Sequence, residues 1–163
     1  SCSDTPVGVR DELKVIPDDN MTASSVLPGF PAKDGRLAGT GAWCSLTNGS
    51  DTDPYLEISL GKSYVICGIE VQGKPNAAES TNFTLQSSTN GSNFIEVDSG
   101  QTFHASSAGG DVATFHVLAT NVTATHLRFK PVSNVTCLRV EIYAVPADPD
   151  DPEFNIICTY SSK

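Results

Sequence analysis

Residues 54–74 read PYLEISLGKSYVICGIEVQGK, and their period decides the fold. In the first half Leu56, Ile58 and Leu60 fall on one face and Tyr55, Glu57 and Ser59 on the other. In the second half Cys67, Ile69 and Val71 alternate with Gly68, Glu70 and Gln72. A period of two is that of a half-buried strand, and Leu60-Gly61-Lys62 between the halves marks a reversal. The same alternation recurs as Phe83 and Leu85 in NFTLQSS, Leu127 and Phe129 in THLRFK, and Leu138, Val140 and Ile142 in CLRVEIY. Asn90-Gly91 is a hairpin turn signal, and Gly109-Gly110-Asp111 marks a further reversal. No amphipathic helix exceeds about two turns, and no internal repeat is present. The chain therefore reads as all-β, an antiparallel sandwich or barrel.

The 163 residues fit one domain, which at this size buries roughly 70% of its unfolded surface. Nineteen acidic residues against ten Lys and Arg give a net charge of -9, which argues against nucleic acid and against bulk attraction to anionic lipid. No apolar run approaches about 18 residues, so no segment reads as a membrane span. No signal peptide is visible, and Ser1-Cys2 reads as a mature or trimmed start. N-x-S/T sequons occur at Asn20, Asn48, Asn82, Asn90, Asn121 and Asn134. So many sequons point to a secreted or cell-surface protein carrying N-glycans. In that oxidising setting the five cysteines, none in a CxxC pair, read as two disulfides and one free thiol.

Strand parity sorts some of these cysteines. Cys137 opens its strand on the face opposite Leu138, Val140 and Ile142, so it points away from the main core. Cys67 shares its face with Ile69 and Val71 and reads as a small buried apolar residue, the free thiol. Residues 146–153, PADPDDPE, cannot be a core strand. The expected organisation is a domain over 1–145 and an acidic, proline-rich exit segment over 146–163. FNIICTY within that segment either packs back on the domain or belongs to the next module of a longer parent chain.

Four segments occur in a fixed order: IPDDNMTASSV, GRLAGTGAWC, PYLEISLGKSYVICGIEVQGK and THLRFKPVSNVTCLRVEIYA, with FTLQSSTNGSNFIEV between the last two. As a set they resemble the discoidin domain, also called the coagulation factor V/VIII C-type domain, over about residues 2–145. The resemblance implies a jellyroll-like antiparallel β-sandwich of about eight main strands. It also implies ligand binding through loops at one end. A cysteine directly after Gly-Ala-Trp and another just before LRVE resemble the discoidin domain receptor subgroup, which implies a Cys44–Cys137 disulfide. Closing a loop of that length is worth about 4 to 5 kcal/mol on chain entropy. The family also joins a cysteine near the start to one directly after the last strand. Here Ala144-Val145 stands at that place, so the resemblance implies Cys2–Cys158.

By the same resemblance VLPGFPAKDG is the first apical loop. Leu27 and Phe30 flank the turn-forming Pro28-Gly29, and Lys33 comes three residues later. Collagen-binding receptors of the subgroup carry a tryptophan in this loop, and this chain has none. GKPNAAES is a second apical loop, offering Lys74 and Asn76 to a sugar or a carboxylate. SLTNGSDTD is a third, where Asp51 and Asp53 are candidates for a calcium site, the one cofactor considered. Arg36 and Arg139 read as structural, paired with residues such as Asp18 or Glu141, and Trp43 as a core anchor. There is no G-x-S-x-G, H-E-x-x-H or P-loop, and His104, His116 and His126 are scattered. The expectation is an extracellular, non-catalytic recognition and adhesion module, part of a larger multidomain protein. Its expected ligand is a matrix or cell-surface protein. A carbohydrate, an anionic phospholipid and a purely structural spacer role are the alternatives, in that order.

Overall fold

The computed structural model describes residues 1–78 and 81–154. Eight antiparallel strands account for most of the regular structure: β1 (Met21–Ala23), β2 (Trp43–Cys44), β3 (Leu56–Gln72), β4 (Asn82–Ser88), β5 (Ile95–Glu96), β6 (Phe103–His104), β7 (Thr114–Pro131) and β8 (Cys137–Pro146). The path through the sheet is β2-β8-β3-β7-β4-β5, with β1 added to β3 and β6 to β4. Among the described residues helix is confined to single turns. The all-β fold expected from the period-two pattern is the one present.

β3 and β7 fold over together at a corner. Their register breaks between Ser59 and Tyr64, where Gly61 takes a φ of 81° that an L side chain resists. Both ends of β3 therefore meet at one end of the sandwich. Leu56 stands beside Ala23 of β1, and Gln72 stands beside Arg139 of β8. The Thr81 hydroxyl ties this end further, donating to the carbonyls of Val135 and Cys137 at 2.9 Å each. Among the described residues, loops over 24–42, 45–55, 73–78, 105–113 and 132–136 emerge here; this is the apical end. The corner, the 89–94 hairpin and residues 147–154 form the basal end.

One core fills the space between. Leu56, Ile58, Ile69, Phe83, Leu85, Leu127, Phe129, Leu138, Val140 and Ile142 are fully buried, as the alternation predicts; Ile66, of the opposite parity to Ile69, is fully buried as well. Trp43 joins them with no exposed surface, its indole N–H donating to the Ser25 carbonyl at 2.9 Å. Phe83 stacks on Phe103 with centroids 5.7 Å apart.

The disulfides divide into one expectation met and one corrected. Cys44 and Cys137 are register partners in β2 and β8 and are bonded, with Cα atoms 4.1 Å apart. Cys67 is not a free thiol: it is bonded to Cys2. Strand parity does not place Cys67, because both ladders of β3 break register between Ile66 and Gly68. The bulge makes the inward step three residues long, from Ile66 to Ile69, and turns Cys67 outward. There it meets the amino-terminal segment. Val7 donates its N–H to Ile142, and Ala144 donates to Thr5, so this segment pairs along the free edge of β8 and carries Cys2 to Cys67. The Cys2–Cys158 expectation thus loses Cys2; Cys158 lies outside the described residues.

Candidate functional site

The first apical loop is built by backbone bonds rather than by a strand. Phe30 N–H donates to the Leu27 carbonyl, closing the Pro28-Gly29 turn, and Gly29 sits at a φ of 89°. Leu27 N–H then donates to the Cys44 carbonyl, and Cys44 N–H to the Phe30 carbonyl. The turn is thereby clamped onto the Trp43-Cys44 pair, which is buried and cross-linked to β8. Leu27 and Phe30 remain half-buried at the rim, with Val26 exposed beside them.

Lys74 of the second loop places its ammonium 5.1 Å from the centroid of the Phe30 ring. Leu27, Phe30 and Lys74 therefore form one apolar knob with a cation on it. Asn76 stands nearby in the left-handed region, with φ at 61°, and its N–H donates to the Asp111 carboxylate at 3.0 Å. Lys33 is not part of this group. It is exposed on a separate polar cleft of about 290 Å³, lined also by Asp11, Lys14, Asp18 and Arg36.

Asp51 holds two loops together. Its carboxylate accepts both the Ser24 and Ser25 hydroxyls at 2.6 Å, and the Asp53 N–H. Ser24 and Ser25 in turn accept the N–H groups of Tyr55 and Leu46. Partial burial pushes the Asp51 pKa up, but the hydrogen bonds outweigh it and leave the group below its usual value. Asp53 pairs instead with Lys130 at 2.9 Å. Among the described residues no three acidic, histidine or cysteine side chains gather as a metal cluster.

Arg36 and Arg139 are structural, as their place in the sequence suggests. Arg36 is buried and donates to the carbonyls of Val9 and Ile16 and to Asp18 at 2.8 Å. Arg139 donates to the carbonyls of Gly73, Gly39 and Gly110, one from each of three apical loops. Burial lowers its pKa. The expected pairing with Glu141 does not form. Glu141 is fully buried and accepts the N–H groups of Val9, Arg10 and Ile142.

No motif announces a cleft of about 570 Å³ between residues 46–54 and 131–136, lined by Leu46, Asp51, Pro54, Val132 and Asn134 among others. Its two walls are distant in the chain and meet because the start of β3 pairs with the end of β7, Leu56 opposite Phe129. The sequence signal nearest to it is the pair of sequons at Asn48 and Asn134: Asn134 lines the cleft, and Asn48 lies between its lining residues Thr47 and Gly49.

A curled antiparallel sheet with ligand-sized clefts and clamped loops at one end defines a binding module, and the chain belongs to the F5/8 type C domain family, whose model matches residues 20–142. Among solved structures it is similar to discoidin II of Dictyostelium discoideum, with a TM-score of 0.67 and 17% identity; the match covers 82% of this chain and 57% of that one. The chain thus spans little more than half of discoidin II. It is also similar to a family 32 carbohydrate-binding module of Clostridium perfringens in complex with GalNAc-β-1,3-galactose (TM-score 0.63, 20% identity, 79% of this chain and 99% of that one). A second such module, from NanJ of the same organism in complex with galactose, gives a TM-score of 0.59 at 18% identity, over 78% of this chain and 96% of that one. No curated protein sequence matches the chain significantly. Two disulfides and this family are consistent with an extracellular domain. No helix among the described residues is long and apolar enough to cross a membrane.

Proposed function

We propose that this domain is an extracellular recognition and adhesion module that binds a protein ligand, a matrix or cell-surface component, through its apical loops. The observation that carries this reading is the clamped Leu27–Phe30 turn with Lys74 over the Phe30 ring. A rigid apolar knob with a cation beside it loses little conformational freedom on docking and suits a partner with an apolar pocket and an acidic rim. The domain acts by binding, not turnover.

A carbohydrate ligand is the second reading. It is favoured by the polar 570 Å³ cleft and by the sugars bound to the two bacterial modules. Against it stands the state of the apical aromatics. Trp43 is fully buried, the Phe30 ring is faced by Lys74, and the Tyr55 ring by the Arg128 guanidinium at 3.9 Å. Trp43 offers no face to a sugar ring, and Phe30 and Tyr55 each have one face taken by a cation. Anionic lipid ranks third, because the charge of -9 opposes it.

The test is a binding screen of the domain against extracellular proteins, glycans and lipid vesicles, with Leu27→Ala/Phe30→Ala in parallel. The expected result is a protein hit whose affinity falls about thirtyfold or more in the variant while its melting curve stays cooperative. A hit that survives the double substitution moves the site off this loop. A glycan hit lost in a variant of the 570 Å³ cleft instead replaces the protein reading with the sugar one.

A further inference from the structure

We propose that Asn121 is a glycosylation site whose glycan plays a structural part, covering two apolar clefts and the Cys2–Cys67 disulfide at the basal end. The inference rests on the extracellular reading above, which brings the chain through a glycosylating compartment.

The six sequon asparagines differ in what their side chains are doing. Asn20 donates its amide N–H to the Ser59 carbonyl at 3.0 Å. Asn82 is half-buried in β4 and pairs with His104 at 2.9 Å. The Oδ1 atoms of Asn48 and Asn90 accept N–H groups within their own turns. Asn121 is exposed, and among the described residues its amide makes no hydrogen bond. Its sequon partner Thr123 is exposed as well. The Nδ2 atom that the glycosylating enzyme must reach makes no hydrogen bond among the described residues at Asn121, as at the exposed Asn48, Asn90 and Asn134; of these four, Asn121 alone lines both basal clefts.

Its position comes from the bulge that turns Cys67 outward. β7 pairs with β3 through Val117 and again through Val122, leaving residues 118–121 opposite Cys67. The excursion is pinned, since the N–H groups of Ala119 and Thr120 donate to the Asp98 carboxylate at 2.9 and 3.3 Å. Asn121 thus stands on a fixed ridge with a cleft on each side. One, of about 380 Å³, is floored by the disulfide and walled by Val65, Val117 and Val145. The other, of about 510 Å³, is walled by Ile95 and Val122 together with Ser88 and Asn90. Both include Asn121 in their lining. Val117 is 65% exposed and Ile95 69%, the two most exposed large aliphatic side chains of the sheet. Apolar surface of this kind calls for a cover. A chitobiose core attached at the ridge has the chemistry for it. Its pyranose faces and acetamide methyls lie against aliphatic side chains, and its hydroxyls face water. No separate partner has to be recruited, because the attachment is covalent.

The experiment is expression of the whole chain through a secretory pathway as wild type, Asn121→Gln, Thr123→Ala and, at the apical end, Asn48→Gln. It has three readouts: glycopeptide mass spectrometry, binding of a dye that reports exposed apolar surface, and the rate at which Cys2–Cys67 is reduced by dithiothreitol in the folded protein. Glycan at Asn121 in the wild type is expected. Asn121→Gln and Thr123→Ala are both expected to raise dye binding and to speed reduction about threefold by opening access to the sulfurs. Asn48→Gln should do neither. Absence of glycan from Asn121, whether or not other sequons carry it, overturns the inference and leaves the extracellular reading standing. An occupied Asn121 whose loss changes neither dye binding nor reduction, or an effect produced by Asn48→Gln instead, overturns the covering role.

Discussion

The two ends of the sandwich are held by different means. At the apical end backbone ladders stop and side chains take over. Arg139 gathers carbonyls from three loops, Asp51 gathers hydroxyls from another, and Cys44–Cys137 fixes the floor beneath them. At the basal end the ladders continue through a corner and a bulge. The amino-terminal segment pairs along β8, Cys2–Cys67 closes it down, and residues 147–154 rest on surface charges. A binding surface that must keep its shape without strand pairing needs buried donors, each with several acceptors.

The disulfides test this contrast most severely. They span 93 and 65 residues. Chain entropy assigns each, taken singly, about 4 to 5 kcal/mol as an upper figure, and sets them only about 0.3 kcal/mol apart. Urea denaturation of Cys44→Ser/Cys137→Ser and of Cys2→Ser/Cys67→Ser is expected to show similar losses. Apical ligand binding should fail only in the first. Equal damage to binding in both variants would mean that the ends are coupled through the core.

Arg139→Met comes next. It strips the donors from three loop carbonyls while keeping most of the side-chain volume, and should cost about 3 kcal/mol. Arg36→Met should cost less, because the Arg36 Nε is already buried without a hydrogen-bond partner. A larger loss for Arg36 than for Arg139 would mean that the apical end does not depend on its buried donor.

These residues also mark how far the sequence could be read. Leu56, Ile58, Phe83, Leu85, Leu127 and Phe129 are buried where alternation puts them, because a strand with one wet face has one workable register. The structural character of Arg36 and Arg139 was legible, and so was Cys44–Cys137 once the family pattern was recognised. The bulge at Cys67 was not, because nothing local in YVICGIEV announces an extra residue; it shows only in the register of β3 against β7 and β8. The same limit hid the Asp51 clamp, whose partners Ser24 and Ser25 lie some 26 residues away. Pairings set by strand register at long range escape a reading that moves along the chain. Leu27, Phe30 and Lys74 come together as the loop resemblance implies, while Lys33 faces a different cleft.

Asp51→Asn is the third substitution in order of effect. An amide accepts fewer hydrogen bonds than a carboxylate, so the Ser24 and Ser25 hydroxyls lose hold on it, and with them the N–H groups of Leu46 and Tyr55. Hydrogen exchange at those two amides should speed about fivefold, with global stability nearly unchanged. The pH dependence has a definite sign. The folded pKa of Asp51 lies below its unfolded value, so its contribution is present above the unfolded pKa and lost as pH falls through the folded one. Exchange at Leu46 and Tyr55 in the wild type should therefore approach that of Asp51→Asn in acid. Unchanged protection would assign the ordering of the loop to the Leu27–Phe30 clamp alone.

The smallest effect is expected at the basal end. Lys62 bonds Asp151 at 2.7 Å and Glu153 at 2.8 Å, and the Ser63 carbonyl accepts the Ala147 N–H, so residues 147–154 lie back against the corner. The hydrogen bonds to the two carboxylates raise the Lys62 pKa, and the bond from Lys62 lowers that of Asp151. The signs define a window. The lysine term is full below its unfolded pKa and fades as pH rises through the folded one; the aspartate term is full above its unfolded pKa and fades as pH falls through the folded one. The clasp is therefore complete across neutral pH. It is also wet, since Lys62 is 40% exposed, and water and salt screen it. Lys62→Gln should shift the melting midpoint by no more than about 1 °C. It should nevertheless speed protease cleavage within residues 147–154, and high salt should do the same to the wild type. A melting shift as large as that of Arg139→Met would place the exit segment among the elements that hold the fold, and the contrast between the two ends would fail there.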